Sequence, residues 1–155
     1  MKENPVTTLS KIVTQSTTHE TKPFYTISQA RKALVLVERI VDDVLELYSN
    51  LIDLEGEIEL AECVGDDRAV DLSRRRLVEA IDRLQDCLEE LEQLGVEMSD
   101  FKRGAVVFSS LDKGREIYLS WAKGEETVNY WYHRGQSHEE RRTVDELEQR
   151  LFQFV

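Results

Sequence analysis

Glu116, Tyr118, Trp131 and His133 are the residues best suited to chemistry: a carboxylate, a phenol, an indole and an imidazole that strand alternation sets on one side of the chain. An aromatic floor beside a carboxylate and a group titrating near neutrality suits proton transfer, or the binding of a small ligand or one metal ion. Arg115 and Glu125 stand at the edge of that set. Packing is the competing reading, because aromatic residues on strands ordinarily build a core, with His133 satisfied by a backbone carbonyl. His133 and His138 with Glu139 match no established ligand spacing, so no metal and no cofactor is assigned. The chain has no GxGxxG, no P-loop, no HExxH and no Ser or Cys nucleophile motif, which speaks against a nucleotide-dependent or hydrolytic enzyme. Cys63 and Cys87 lie in neither a CxxC nor a Cys/His cluster.

The candidate residues sit in a segment with the two-residue period of strands. Residues 105–109 form a short apolar run, and residues 115–122 and 126–133 alternate and are rich in Ile, Tyr, Trp and Val. Lys113-Gly114 and Lys123-Gly124 supply the turns, so residues 95–135 are predicted to form a three-stranded antiparallel meander. A two-residue turn at Lys123-Gly124 sets Ile117 opposite Tyr130 and Leu119 opposite Val128. One face then carries Ile117, Leu119, Trp121, Val128, Tyr130 and Tyr132 for the core; the other carries Glu116, Tyr118, Ser120, Asn129, Trp131 and His133.

Before that segment the period is helical. Thr26-Ile27-Ser28-Gln29 has capping-box spacing and predicts a helix start. Apolar residues then recur at intervals of three and four, at Ala30, Ala33, Val37, Ile40, Val44, Leu47, Leu51, Leu54, Ile58 and Ala61, the pattern of a coiled-coil seam. Leu34, Val41, Leu45, Tyr48 and Ile52 widen this stripe. After a break at Val64-Gly65-Asp66-Asp67, a second seam runs through Val70, Ser73, Leu77, Ala80, Leu84, Cys87, Leu91 and Leu94 until Gly95 stops it. So short a connection folds the two helices into an antiparallel hairpin over residues 26–94. In that register Arg74-Arg75-Arg76 lies opposite the acidic stretch from Glu55 to Glu62, and the arginines pair with it. Cys63 and Cys87 then stand on the order of 25 Å apart along the hairpin, too far for a disulfide. Thr143-Val144-Asp145-Glu146 repeats the capping spacing and predicts a short C-terminal helix over residues 143–154. Residues 1–23, poor in large apolar side chains, read as a mobile tail before a single α+β domain over 24–155.

Charge and length narrow the function classes. The 155 residues hold 20 Lys+Arg and 31 Asp+Glu, a net charge of -11. The acidity belongs to the hairpin: residues 28–94 carry 8 basic and 18 acidic side chains, residues 95–155 carry 9 and 11. Such a surface repels polyanions, so no nucleic-acid partner is expected. No apolar run reaches the roughly 18 residues of a membrane span and no signal-peptide pattern opens the chain, so no membrane insertion and a cytoplasmic location are expected.

Gly95-Val96-Glu97, Asp100, Gly104, Val106, Phe108, then Gly114-Arg115-Glu116-Ile117-Tyr118-Leu119 with Trp121, Gly124-Glu125 and Tyr130-Trp131 resemble the bacterial family of unknown function DUF2203. Residues 24–30, Phe-Tyr-Thr-Ile-Ser-Gln-Ala, resemble that family's opening phrase, and the resemblance extends over about residues 24–144. It implies the same helical hairpin and small β unit, and brings no activity with it. Where the family reads Tyr-Trp-His this chain reads Tyr130-Trp131-Tyr132-His133, so Tyr132 or His133 stands for the family His.

Two functions from different classes follow. The seams exceed what one hairpin can bury, which favours an interaction or scaffold module that self-associates as a homodimer or takes a helical protein partner; an organiser of cell division is a version the pattern permits without selecting it. The alternative is a small metal- or ligand-dependent enzyme, or a ligand-binding protein, using Arg115, Glu116, Tyr118, Trp131 and His133 on the sheet.

Overall fold

The helix start expected at Thr26 forms in the computed structural model of the chain, which describes residues 23–147. The Thr26 hydroxyl accepts from the Gln29 N–H at 3.1 Å while the Gln29 side chain accepts from the Thr26 N–H at 3.0 Å, a complete capping box. Helix α1 runs over Ile27–Val64 and α2 over Asp67–Gln93. The described residues divide into two units, one of Asp42–Glu90 and one of residues 23–41 with 91–147, so α1 contributes to both. The tail expected over residues 1–22 lies outside the described residues.

In the first unit the seams meet as their spacing requires. Val44, Leu47, Leu51, Ile58 and Ala61 of α1 and Val70, Ser73, Ala80 and Leu84 of α2 are buried. Each fully buried leucine contributes about 1.5–3 kcal/mol, and Leu51 and Leu84 are the largest such side chains of this unit. Asp66 caps α2 by accepting from the Ala69 N–H at 3.1 Å. The register follows from Ser73, which donates to the Glu57 carboxylate at 3.5 Å, and from the Arg74–Glu62 ion pair at 3.1 Å. Arg74 thus meets the acidic stretch. Both cysteines are free; Cys87 is half-buried, whereas Cys63 is exposed.

In the second unit a five-stranded antiparallel sheet replaces the expected three strands, in the order β1 (Val96–Asp100), β2 (Ala105–Asp112), β3 (Arg115–Ala122), β4 (Tyr130–His133) and β5 (Arg142–Thr143). β1 escapes a search for apolar alternation because Glu97, Ser99 and Asp100 outnumber its apolar residues, and β5 is two residues long. Lys113 and Gly114, both at positive φ, make the tight β2–β3 turn as anticipated.

The second turn differs. Residues 123–129 form a seven-residue connection instead of a two-residue turn, because Glu125 fastens it: its carboxylate accepts from the Ala122 N–H at 2.7 Å and its carbonyl from the Trp121 indole at 3.0 Å. Leu119 therefore pairs with Trp131 and Ile117 with His133, while Tyr118 pairs with Tyr132 and Ser120 with Tyr130. The odd shift exchanges the faces of β4. Trp131, expected on the polar face, is fully buried beside Leu119.

The inner face, with Phe108, Ile117, Leu119, Trp121 and Trp131, joins the start of α1. Tyr25 stacks edge-on against Phe108 with ring centroids 5.2 Å apart, and Arg31 donates to the Val128 carbonyl at 3.1 Å. Gly95, at φ +76°, lets the chain pass from α2 into β1 where a Cβ would lie 2.7 Å from the Pro23 ring. After β4, a 3-10 turn forms over His138–Glu140. Thr143, expected to open the C-terminal helix, pairs with Tyr130 in β5 instead; helical geometry begins at residues 145–147, and residues 148–154 of the expected helix lie outside the described residues.

Candidate functional site

The five residues singled out from sequence do not converge. Glu116 and Tyr118 lie on the outer face of the sheet, whereas Trp131 and His133 lie on the inner one, an outcome of the β3–β4 register. Trp131 donates its indole N–H to the Thr143 carbonyl at 3.1 Å and meets the His133 ring edge-on at 4.9 Å. That is a packing role. Glu116 pairs with Arg134 at 3.0 Å, and Arg115 is exposed at the first position of β3.

The outer face gathers a different set. Tyr118 and Tyr132 meet edge-on with ring centroids 5.7 Å apart, and the Arg141 guanidinium lies 4.3 Å from the centre of the Tyr130 ring. Arg141 also grips both Glu125 oxygens, at 3.0 and 2.9 Å. Both bonds come from the one Nη1, and the pair is largely buried, with side chains 16% and 21% exposed, so it is less screened than a surface pair would be. Ser120, opposite Tyr130, is fully buried, and its hydroxyl has no hydrogen-bond partner among the described residues. The His138 Nδ1 is likewise buried without one.

Titration follows from these surroundings. Burial raises the Tyr132 phenol above its usual value, with Tyr118 adding to it. Burial lowers His138 below the usual imidazole value, and Arg141 and Arg103 push the same way. The Tyr132 phenol on the outer face and the His138 imidazole of the 3-10 turn are therefore both held toward their neutral forms. Sequence reasoning had Tyr118 and Glu125 in view; it assigned Tyr132 to the core through the register, weighed His138 only as a ligand to metal, and passed over Arg141. The Glu125–Arg141 pair spans 16 residues of sequence with no motif to announce it.

The hairpin has two unlike faces. On one, Asp43, Glu46, Leu47 and Asn50 of α1 and Arg83, Asp86 and Cys87 of α2 line a groove of about 270 Å³. Burial, then Asp43, Glu90 and Asp86, push the Cys87 thiol up, so it stays protonated and is no activated nucleophile. The other face, past the seam, presents Leu45, Tyr48 and Ile52 from α1 and Val78, Ile81 and Leu88 from α2, by the 100° helical step and the Ser73–Glu57 register. Ile52 is 50% and Val78 57% exposed, and the other four are half-buried. Glu55 lies along this face, its carboxyl raised by burial and by Glu59.

Among the described residues, no cluster of His, Cys, Asp and Glu is arranged to hold a metal ion, and no helix is long and apolar enough to cross a membrane. No curated protein and no solved structure matches the chain. One family does: the model described as an uncharacterized conserved protein, DUF2203, matches residues 23–144. The shared pattern takes in the capped start of α1, the hairpin and the whole sheet, and the chain belongs to the DUF2203 family.

Proposed function

We propose that this protein is an interaction module whose working surface is the apolar face of its helical hairpin. The observation that carries the reading is Ile52 and Val78, half or more exposed, beside Leu45, Ile81 and Leu88 on one face, while the groove on the opposite side holds the carboxylates of Asp43, Glu46 and Asp86. Two helices bury one seam between them; a second apolar stripe on both, at the same side, is the geometry that accepts a further helix. The occupant is a second copy of the chain or a helix of another protein. The exposed face supports docking without selecting a cell-division role. Native mass spectrometry of the chain purified from its own cells tests this. The reading expects a dimer or a bound protein that gives way to free monomer in the Ile52→Ser/Val78→Ser variant. An assembly indifferent to that pair, or a wild-type chain that is monomeric and bare, contradicts it.

A second reading has one specific observation behind it, the buried and unpartnered Ser120 hydroxyl and His138 Nδ1. We propose for that case a small polar ligand held on the outer face by Tyr118, Tyr132, Ser120 and His138. A small molecule retained in the same spectrum, and lost on Tyr132→Phe with the fold intact, is the result that favours it over docking.

A further inference from the structure

The chemistry of the docked partner can be read from charge. Residues 42–90 carry 16 acidic and 5 basic side chains, so the unit that presents the open apolar face holds a net charge of -11. Glu55, Glu59 and Glu89 flank that face by helical position; beyond Val78, Arg74 is paired with Glu62 at 3.1 Å and Arg75 is exposed. Burial and then Glu59 disfavour ionisation of the Glu55 carboxyl, which a cation at the rim would favour.

A second copy of the chain would bring like charge against like charge along the whole hairpin, an arrangement that costs association. A helix with lysine or arginine flanking an apolar stripe does the reverse. It buries leucine-sized residues against Leu45, Ile52, Val78, Ile81 and Leu88 while its cations meet the carboxylate rim. We infer that the hairpin of this protein docks a basic amphipathic helix of another protein, its apolar side chains spaced i, i+3, i+4 and i+7. This rests on the docking reading above and adds the sign of the partner's charge.

The test uses the full-length chain and two synthetic helical peptides of about four turns, both with leucine at i, i+3, i+4 and i+7, one flanked by lysine and the other by glutamate. Titration by fluorescence anisotropy at physiological salt is expected to show the lysine peptide binding at least about tenfold more tightly than the glutamate peptide. Ile52→Ser/Val78→Ser, at positions too exposed to unfold the hairpin, should weaken the lysine peptide by a similar factor with unchanged circular dichroism. Glu55→Gln/Glu59→Gln/Glu89→Gln should weaken it and flatten its salt dependence. Equal binding of the two peptides through Ile52 and Val78 overturns the charge assignment and leaves the docking face standing. Binding of the lysine peptide that ignores the Ile52/Val78 pair overturns the site itself. A dimer dissolved by that pair replaces the basic helix with a second copy, and a monomer that binds neither peptide ends both the inference and the docking reading.

Discussion

Trp131 shows what one residue of register is worth. Its side chain is wholly buried against the inner face and its indole N–H is satisfied by Thr143, so Trp131→Ala should cost about 3–5 kcal/mol, read as a lowered midpoint in urea. Glu116→Gln, which removes an ion pair whose Arg134 side chain is 69% exposed, should cost less than about 1 kcal/mol. Similar losses for the two would contradict the β3–β4 pairing. His138 makes a prediction about pH. Its folded-state value is lowered from 6.5 by burial, Arg141 and Arg103, so below 6.5 the unfolded chain takes up the proton more readily than the folded one. Its stabilising contribution is whole above 6.5 and is lost as pH falls from there toward the lowered value. Thermal melts between pH 8 and 5 should show a decline in the wild type that His138→Gln reduces; an identical decline in both refutes it.

The elements with strong periodicity were legible before any coordinates. The capping box at Thr26, the two long helices, the turn between them and the Lys113-Gly114 turn all formed where spacing placed them, because each depends on local chemistry or on a long repeat. What was not legible depends on contacts distant in sequence. Glu125 sets the length of the β3–β4 connection through Ala122, Trp121 and Arg141, and a dipeptide such as Lys123-Gly124 does not reveal that. β1 and β5 exist because neighbouring strands offer them an edge. The candidate site inherited the error, for one wrong turn sent Trp131 and Tyr132 to each other's faces. The helices carry a paired prediction. Gly56 sits inside α1 with open space around the missing Cβ, so Gly56→Ala should stabilise by about 0.5–1 kcal/mol. Gly95→Ala should destabilise by about 1–3 kcal/mol through its positive φ, with displacement of Pro23 adding to it. Thermal midpoints moving in the same direction for both would contradict the geometry at one of them.

At the scale of the molecule, the acidic charge concentrates on the unit that carries the exposed Ile52 and Val78. Residues 91–147 bury Phe108, Trp121, Trp131 and Tyr132 in a sheet, whereas the hairpin combines its carboxylates with an apolar stripe left at its surface. On the proposed reading the hairpin's open face receives another helix, and the DUF2203 match, covering hairpin and sheet together, makes the pair of units the natural object for experiment. Site-specific photo-crosslinking in the living cell tests the docking face most directly. A photoreactive residue at Val78, or at Ile52, should form one discrete protein adduct that the same residue at Asn50, on the carboxylate-lined face, does not form. Adducts of equal yield at all three positions, or at Asn50 alone, would contradict the account.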